Sequence, residues 1–272
     1  MYRRFEMNIF ESMNNQVLLV GQGGGMMSVE CLTGVMRAFE EYGMIPGQAH
    51  TSSGSTLFSS LYYSGHESAW FRELMQTRKV SEFFHVCVPG ALSTMCSCAR
   101  HMIDNDGVKK LLEQEMTGLA SLRVMTSLTR MIDWESVHMP ATPASALAAT
   151  SIPFLFKPVM IDSILYGDGG VLDNIPAPAK NNLCQYDHVF VFLCPKTVYN
   201  DTTEDGLITG LLELLDGVMN REYKELERQK YFDEPNVTLI QPEDGFGGGL
   251  LNWSPKFQLR DYCYELTKGL LQ

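Results

Sequence analysis

The chain has 272 residues, of which 45% are hydrophobic and 19% charged, a balance typical of a globular protein with a large buried core. Its formal net charge of −11 argues against nucleic acid as a partner, because binding to a polyanion depends on clustered lysine and arginine. The same charge disfavours strong electrostatic attachment to an anionic membrane, although it leaves peripheral apolar contact open. No apolar run approaches the roughly 20 residues of a transmembrane helix.

The N-terminal residues and the cysteines indicate a cytoplasmic protein. Arg3 and Arg4 are not followed by an apolar stretch, so a secretory signal is not expected. The seven cysteines are scattered along the chain and are interpreted as free thiols in a reducing compartment. No metal-ligand spacing links the histidines and cysteines, and we expect neither a metal nor a cofactor.

Strand and helix patterns alternate along the chain, which is typical of an α/β layered fold. Residues 66–121 carry scattered methionine and aromatic residues without a clear strand, and are predicted to be a helical insertion or a lid. No repeat or linker divides the chain, so residues 1–272 are predicted to be a single domain.

In chain order we predict a strand at Gln16–Val20, helices at Val29–Tyr42 and Thr56–Gly65, a strand at Leu122–Leu128, a helix at Pro143–Thr150, a hairpin of Val159–Ile161 with Ile164–Tyr166, a strand at His188–Leu193, a helix over 206–231, a strand at Val237–Ile240 and a helix at Gln258–Leu271.

A glycine-rich turn, Gly21–Gly25, joins the first strand to the first helix. It lacks the third glycine and the acidic residue of a dinucleotide-binding fingerprint, and it lacks the Lys-Ser/Thr ending of a phosphate-binding loop. Consecutive glycines do allow backbone N–H groups to converge on a developing negative oxygen, as in an oxyanion hole. A plain tight turn between strand and helix remains the alternative.

A serine cluster between a strand-like segment and a helix is a second candidate. The nucleophile motif G-x-S-x-G places glycine two residues before and two residues after the serine. With Ser52 as the serine, Gly54 satisfies the second position and His50 stands at the first. A shift in register would make Ser53 or Ser55 the nucleophile instead, and a simple helix cap is the structural alternative.

A third candidate is Asp168, which follows a predicted strand and is flanked by Gly167, Gly169 and Gly170. Glycines on both sides indicate an exposed turn from which the carboxylate can reach another loop, although Asp-Gly turns are also common without any function. The order of the three stretches, a glycine turn, a serine turn and then Asp-Gly-Gly, is more specific than any one of them.

This order of motifs resembles the patatin-like phospholipase family. The similarity is strongest over Ala149–Pro176, which contains an Ala/Ser-rich helix, Ile-Pro, a Phe-rich turn, a strand pair and Asp-Gly-Gly followed by Asn and Pro. It extends from about Val17 to Ile240 and is weakest through 66–121. The resemblance implies a three-layer α/β/α hydrolase fold with a mostly parallel central sheet, acting on a lipid acyl ester without a cofactor.

The resemblance also implies a role for each site residue. Ser52 would attack the ester carbonyl and Asp168 would accept its proton. A partly desolvated site would raise the aspartate pKa and strengthen it as a base. The chain departs from the family at His50, where the family has glycine, and at Met27, where it usually has arginine. The oxyanion or substrate-binding loop would consist of Gly23, Gly24, Gly25 and Met26, and the supporting motif positions would be His50, Gly54, Gly169 and Gly170.

Two functions from different classes follow from these expectations. The first is a serine acyl-ester hydrolase of phospholipase A or lysophospholipase type, with acyl transfer as a variant that uses the same residues. The second is a catalytically weakened patatin-like protein that binds a lipid or a protein partner, which the departures at His50 and Met27 favour. Residues 66–121 and Gly245–Leu251 are candidate lips for lipid access, or else ordinary core and loop.

Overall fold

A computed structural model describes residues 13–86, 103–195, 222–244 and 257–272 of the chain. The candidate lip Gly245–Leu251, the part of the predicted long helix before residue 222 and residues 87–102 of the predicted insertion lie outside the described residues.

The described chain alternates between strands and helices. The strands are β1 (Asn14–Gly21), β2 (Pro46–Thr51), β3 (His85–Val86), β4 (Ile103–Asp104), β5 (Val124–Arg130), β6 (Glu135–Pro140), β7 (Val159–Ile161), β8 (Ile164–Asp168), β9 (His188–Phe192) and β10 (Val237–Ile240). The helices are α1 (Gly25–Tyr42), α2 (Ser53–Tyr62), α3 (Ser68–Thr77), α4 (Asp106–Glu115), α5 (Gly118–Arg123), α6 (Pro143–Ala149), α7 (residues 222–228) and α8 (Phe257–Leu271).

Eight strands form one sheet in the order β10-β9-β1-β2-β5-β8-β7, with β6 also paired to β5. The pairings from β10 to β5 are all parallel, whereas β6, β7 and β8 pair antiparallel. The predicted α/β fold with a mostly parallel central sheet is confirmed.

Both faces of the central strands are buried, as expected for a parallel sheet. Successive residues of β1 point to opposite faces: Val17 and Leu19 pack in one core, and Leu18 and Val20 pack in another. The first core is closed by helices that include α1, α2 and α8, and the second by the segment around Ile175–Leu183 and residues near Tyr231.

Three features of the secondary structure differ from the prediction, namely two unpredicted strand pairings and one helix start. The 66–121 region contains the short antiparallel pair β3–β4, which is too brief to show a hydrophobic alternation. The edge strand β6 was not predicted, because its mostly exposed residues include a glutamate and a proline. Helix α1 begins at Gly25 and not at Val29, because burial of the Met-rich first turn outweighs the poor helix propensity of glycine.

The pairing around β5 determines which loops meet. Strand β6 occupies one edge of β5 over Met125–Arg130, so β2 and β8 must share the other edge. Strand β2 runs parallel to β5 and ends opposite Thr126, while β8 runs antiparallel and ends opposite Leu128. The two strands therefore approach each other head to head, and the residue after one carboxyl end faces the last residue of the other.

Candidate active site

Ser53 lies at the junction of β2 and α2, directly after the sharp turn. Its backbone is left-handed, with φ of 49°, a conformation that costs a non-glycine residue roughly 1–2 kcal/mol. Strain of this kind is found where a strand turns into a helix and presents a nucleophile. The Ser53 hydroxyl donates a hydrogen bond of 2.7 Å to Oδ2 of Asp168. The structure thus brings together Asp168 and Ser53, one of the two alternative serines.

Ser52, the serine that the motif favoured, is not hydrogen-bonded to Asp168. It is the N-cap of α2 with an extended backbone, and its amide donates to the Gly21 carbonyl at 3.2 Å. Its hydroxyl is buried and has no hydrogen-bond partner among the described residues. The predicted Ser52–Asp168 pair is therefore corrected by one residue. The reason is that β2 continues to Thr51, which moves the left-handed residue of the turn to position 53.

This correction changes which residues flank the serine of the turn. The positions two before and two after Ser53 are Thr51 and Ser55, where the motif has glycine. Both side chains are buried and hydrogen-bonded. Thr51 Oγ1 lies 3.0 Å from Thr56 Oγ1, and the Ser55 hydroxyl donates to the Gln22 carbonyl at 2.5 Å. Short polar side chains thus fasten the turn to α2 and to the end of β1.

Asp168 is the last residue of β8 and is only 2% exposed. Its Oδ1 accepts the Gly170 N–H at 2.7 Å, while its backbone carbonyl accepts the Thr129 hydroxyl at 2.8 Å and its amide donates to the Ser151 carbonyl at 2.9 Å. Burial raises the pKa of Asp168 to about 7, against the lowering effect of the hydrogen bonds from Ser53 and Gly170. A buried carboxylate with this pKa has the desolvation that a base for serine requires.

The glycine turn lies against the serine turn and opens α1. A Cβ on Gly23 would lie 2.8 Å from Cβ of Ser53, but the Gly23 N–H already donates to the Asn174 carbonyl at 3.1 Å. That amide is therefore occupied and does not fit the expected role of oxyanion donor. Gly25, with φ of 56°, and Met26 line the cleft beside the serine. Their N–H groups belong to the first turn of a helix and have no intrahelical acceptor.

Gly24 and Met27 take other positions in the turn. Gly24 is the N-cap of α1 and packs against Cys194, whose sulfur would lie 2.3 Å from a Cβ at position 24. Met27 is 2% exposed and packs as an apolar residue at the position where the family resemblance leads one to expect arginine.

Two further glycines permit close approaches of backbone. A Cβ on Gly54 would lie 2.0 Å from the Gly25 carbonyl oxygen, and a Cβ on Gly169 would lie 2.2 Å from the Ser127 carbonyl oxygen. The first contact brings the N-termini of α1 and α2 together. The second presses the turn after Asp168 onto β5.

His50 lies within β2 and not at the turn, so the expectation that it replaces the glycine before the serine is corrected. Its ring N–H donates to the Pro176 carbonyl, which ties β2 to the segment after Asp168. Burial and the nearby His138 lower the pKa of His50 to about 4, so the ring is neutral at physiological pH.

An apolar cleft opens beside Ser53. Its volume is about 390 Å³, including the part open to solvent. Phe84 and Val108, which come from the predicted insertion, form part of its wall, so the described part of the insertion borders the site. The cleft is lined by Gly25, Met26, Ser53, Gly54, Leu57, Phe84, Val108, Thr150, Ile152 and Phe156.

The sequence patterns did not single out two residues that hold this arrangement. Asn174 is fully buried and binds both backbone groups of Gly23, through its carbonyl and through Nδ2 at 3.4 Å from the Gly23 carbonyl. Glu222 on α7 accepts the Ile175 N–H at 2.7 Å, and burial with the nearby Asp173 raises the pKa of Glu222 to about 7. Asn174 does lie within the Asp-Gly-Gly motif, whereas Glu222, 47 residues beyond Ile175, gives no local signal.

Across the described ranges, no group of three or more His, Cys, Asp or Glu side chains could hold a metal ion. Within the same ranges, no helix has the length and apolar character needed to cross a membrane.

Comparison with known proteins identifies similar solved structures but no family. No family model matches the chain, and no curated protein matches it in sequence. VipD from Legionella pneumophila is similar over 94% of this chain and 66% of its own, with 13% identity and a TM-score of 0.48. The type III effector protein ExoU is similar over 94% of this chain and 52% of its own, with 13% identity and a TM-score of 0.44. The chain therefore spans less than two thirds of the length of either structure.

Proposed function

We propose that this chain is a serine acyl-ester hydrolase that acts on phospholipid or a related lipid, with Ser53 as nucleophile and Asp168 as base. The observation that carries the proposal is the 2.7 Å hydrogen bond from the Ser53 hydroxyl to a fully buried carboxylate, formed at a strained turn that borders an apolar cleft.

The chemistry follows from this geometry. Asp168 accepts the hydroxyl proton while Ser53 attacks the ester carbonyl, and the alcohol leaves with a proton from Asp168. The same carboxylate then activates water, which releases the fatty acid from the acyl-enzyme. The Gly25 and Met26 N–H groups are the donors we assign to the developing oxyanion, and one such donor contributes roughly 3 kcal/mol to the transition state.

The shape of the cleft supports a substrate with an acyl chain. Its lining includes Leu57, Ile152 and Phe156, and apolar side chains of this kind suit a hydrocarbon tail better than a polar group. The resemblance of the motif order to patatin-like phospholipases supports the same class of substrate. An alcohol in place of water as the final acceptor would give acyl transfer with the same residues.

Two observations support the alternative of a weakened, lipid- or protein-binding relative. The Gly23 N–H is occupied by Asn174, and Met27 is a buried apolar residue where a cation would stabilise negative charge. We place this alternative second because binding alone requires neither the hydrogen bond from Ser53 to Asp168 nor the strained backbone at Ser53.

Labelling with a fluorophosphonate probe, read by intact mass, tests the proposal. We expect one adduct on the wild-type protein and on Ser52→Ala, and none on Ser53→Ala, with circular dichroism confirming that all three are folded. Loss of the adduct in Ser52→Ala with retention in Ser53→Ala would contradict the assignment of the nucleophile. A folded wild-type protein without any adduct would favour the binding alternative.

A further inference from the structure

Five large apolar side chains are exposed where two hairpins and a turn meet, and we call them the apolar rim. The most exposed are Ile132 at 83% and Phe154 at 67%. Single exposed apolar residues are normal on proteins, whereas several neighbouring ones mark an interaction surface. The rim consists of Ile132, Trp134, Phe154, Met160 and Leu165.

The segments that carry the rim all adjoin β8. The N–H of Met131, the first residue of the turn 131–134, donates a hydrogen bond to the Leu165 carbonyl at 2.9 Å. Met160 pairs with Leu165 in the register of β7 and β8. A Cβ on Gly167 would lie 3.4 Å from Cγ of Pro153, which places the turn containing Phe154 next to the same strand.

The rim also lies on the side of the molecule that carries the candidate active site. Ser53 follows the carboxyl end of β2, and β5 runs parallel to β2 and ends in the turn that bears Ile132 and Trp134. Ile152 and Phe156, on either side of Phe154, line the cleft. A surface that covered the rim would therefore lie beside the mouth of the cleft.

Backbone strain distinguishes the two aromatic residues of the rim. Trp134 has φ of 55° and Phe154 has φ of 70°, a region in which a bulky side chain is an outlier that costs free energy. Burial does not offset this cost, because both rings are exposed. Strained residues persist mostly where their conformation serves a function.

The charges around the rim favour an uncharged or zwitterionic partner. Arg130 is engaged by Asp133 and Glu135, and the charged residues adjoining the Phe154 and Met160 segments in sequence, Lys157 and Asp162, are of opposite sign. Docking on an anionic surface needs clustered basic residues, which this part of the described chain does not provide. Exposed tryptophan and phenylalanine suit the interface of a lipid layer, where an aromatic ring can enter the headgroup region.

We propose that the apolar rim docks onto the surface of zwitterionic phospholipid aggregates and holds the mouth of the Ser53 cleft at the lipid–water interface. The choice of lipid rests on the proposed function, but docking can be measured without turnover.

Flotation with phosphatidylcholine vesicles tests the docking in the inactive Ser53→Ala background. Adding Trp134→Asn and Phe154→Asn, where asparagine tolerates the left-handed backbone, should lower vesicle partitioning at least tenfold. The matched control adds Leu122→Gln, since Leu122 is 79% exposed but precedes β5 at the opposite end of that strand. This control should float like the parent. If the double variant does not fold, Met160→Gln removes a rim residue without a left-handed backbone and should lower partitioning as well.

With Ser53 intact, the rim variant should hydrolyse a water-soluble short-chain ester within twofold of the wild type, yet lose at least tenfold on vesicles. Absent flotation of the parent, or equal flotation of parent and rim variant, would overturn the docking proposal. A third outcome would overturn it as well: the parent sediments as a dimer, the rim variant sediments as a monomer, and both float equally. That result would assign the rim to self-association. Failure of the proposed function would give a different result from failure of the docking proposal. The wild type would then hydrolyse neither the short-chain ester nor the vesicle phospholipid, while vesicle binding persisted.

Discussion

At the scale of single residues, the site joins one alcohol to one carboxylate without a histidine between them. A carboxylate with an ordinary pKa is a weak base for a serine hydroxyl. Burial raises the pKa of Asp168 to about 7, which strengthens it as a base while leaving a large fraction ionised near neutrality. The Gly170 N–H holds the other carboxylate oxygen, so the oxygen that faces Ser53 is fixed in direction.

This pKa predicts how the proposed hydrolysis depends on pH. We expect kcat/KM for a water-soluble ester to rise through an inflection near pH 7 and to fall about tenfold per pH unit well below it, because Asp168 must be unprotonated in the free protein. Initial rates between about pH 5 and pH 9, corrected for any unfolding, would measure the profile. An inflection near the pKa of an exposed aspartate, about 4, would contradict it.

At the scale of elements, the site depends on two helix N-termini that meet. Helices α1 and α2 approach so closely at Gly25 and Gly54 that a Cβ on Gly54 would also lie 2.6 Å from the Ser28 hydroxyl. The N-terminus of a helix carries a partial positive charge. Both dipoles therefore favour negative charge developing next to Ser53.

A pair of glycine substitutions tests this close approach. Gly54→Ala should lower the free energy of unfolding by roughly 1–3 kcal/mol, because the added methyl group forces the two helices apart. Gly269→Ala, in the last turn of α8 with open space around its Cβ, should instead raise it by up to about 1 kcal/mol. Urea denaturation measures both. A Gly54→Ala protein as stable as the wild type would show that the helices do not need this contact.

At the scale of the whole molecule, the site exists only when the sheet is assembled. Ser53 and Asp168 are 115 residues apart in sequence, and they meet because β2 and β8 approach head to head along one edge of β5. The same assembly removes Asp168 from water. Ionisation of this carboxylate in the native state must therefore reduce the stability of the fold.

Stability as a function of pH tests that cost. The native pKa of Asp168 lies above its unfolded value, so the native state binds the proton more tightly than the unfolded state does. The stabilisation of the fold by this bound proton is complete below about pH 4 and is lost as pH rises through about 7. Asp168→Asn has no ionisable group there, so its stability relative to the wild type should increase between pH 4 and pH 8 by up to about 4 kcal/mol.

Asp133→Asn provides the control of opposite sign. The hydrogen bond and charge of Arg130 lower the pKa of the exposed Asp133. The ionised Asp133 therefore stabilises the fold above its unfolded pKa, and this stabilisation is lost as pH falls. Urea denaturation at several pH values compares the variants. A pH-independent difference between Asp168→Asn and the wild type would contradict the burial of an ionisable carboxylate at position 168.

The amino-acid sequence by itself determined the features that are local. Hydrophobic runs next to helical periodicity predicted the α/β fold and most element positions, since period 2 and period 3.6 are properties of short segments. The glycine turn and Asp-Gly-Gly were identified because only glycine allows such backbone approaches. Asp168 became a candidate through the order of the three motifs and the family resemblance, and the structure places it against a serine hydroxyl.

Only the tertiary structure decided which groups meet. Ser52 and Ser53 are chemically identical neighbours, and the point at which β2 ends selects between them. Whether an amide in the glycine turn is free depends on Asn174, which approaches Gly23 from another loop, and the support from Glu222 comes from a helix later in the chain. Such contacts depend on strand register and long-range packing, which the residue pattern of a short segment does not determine by itself.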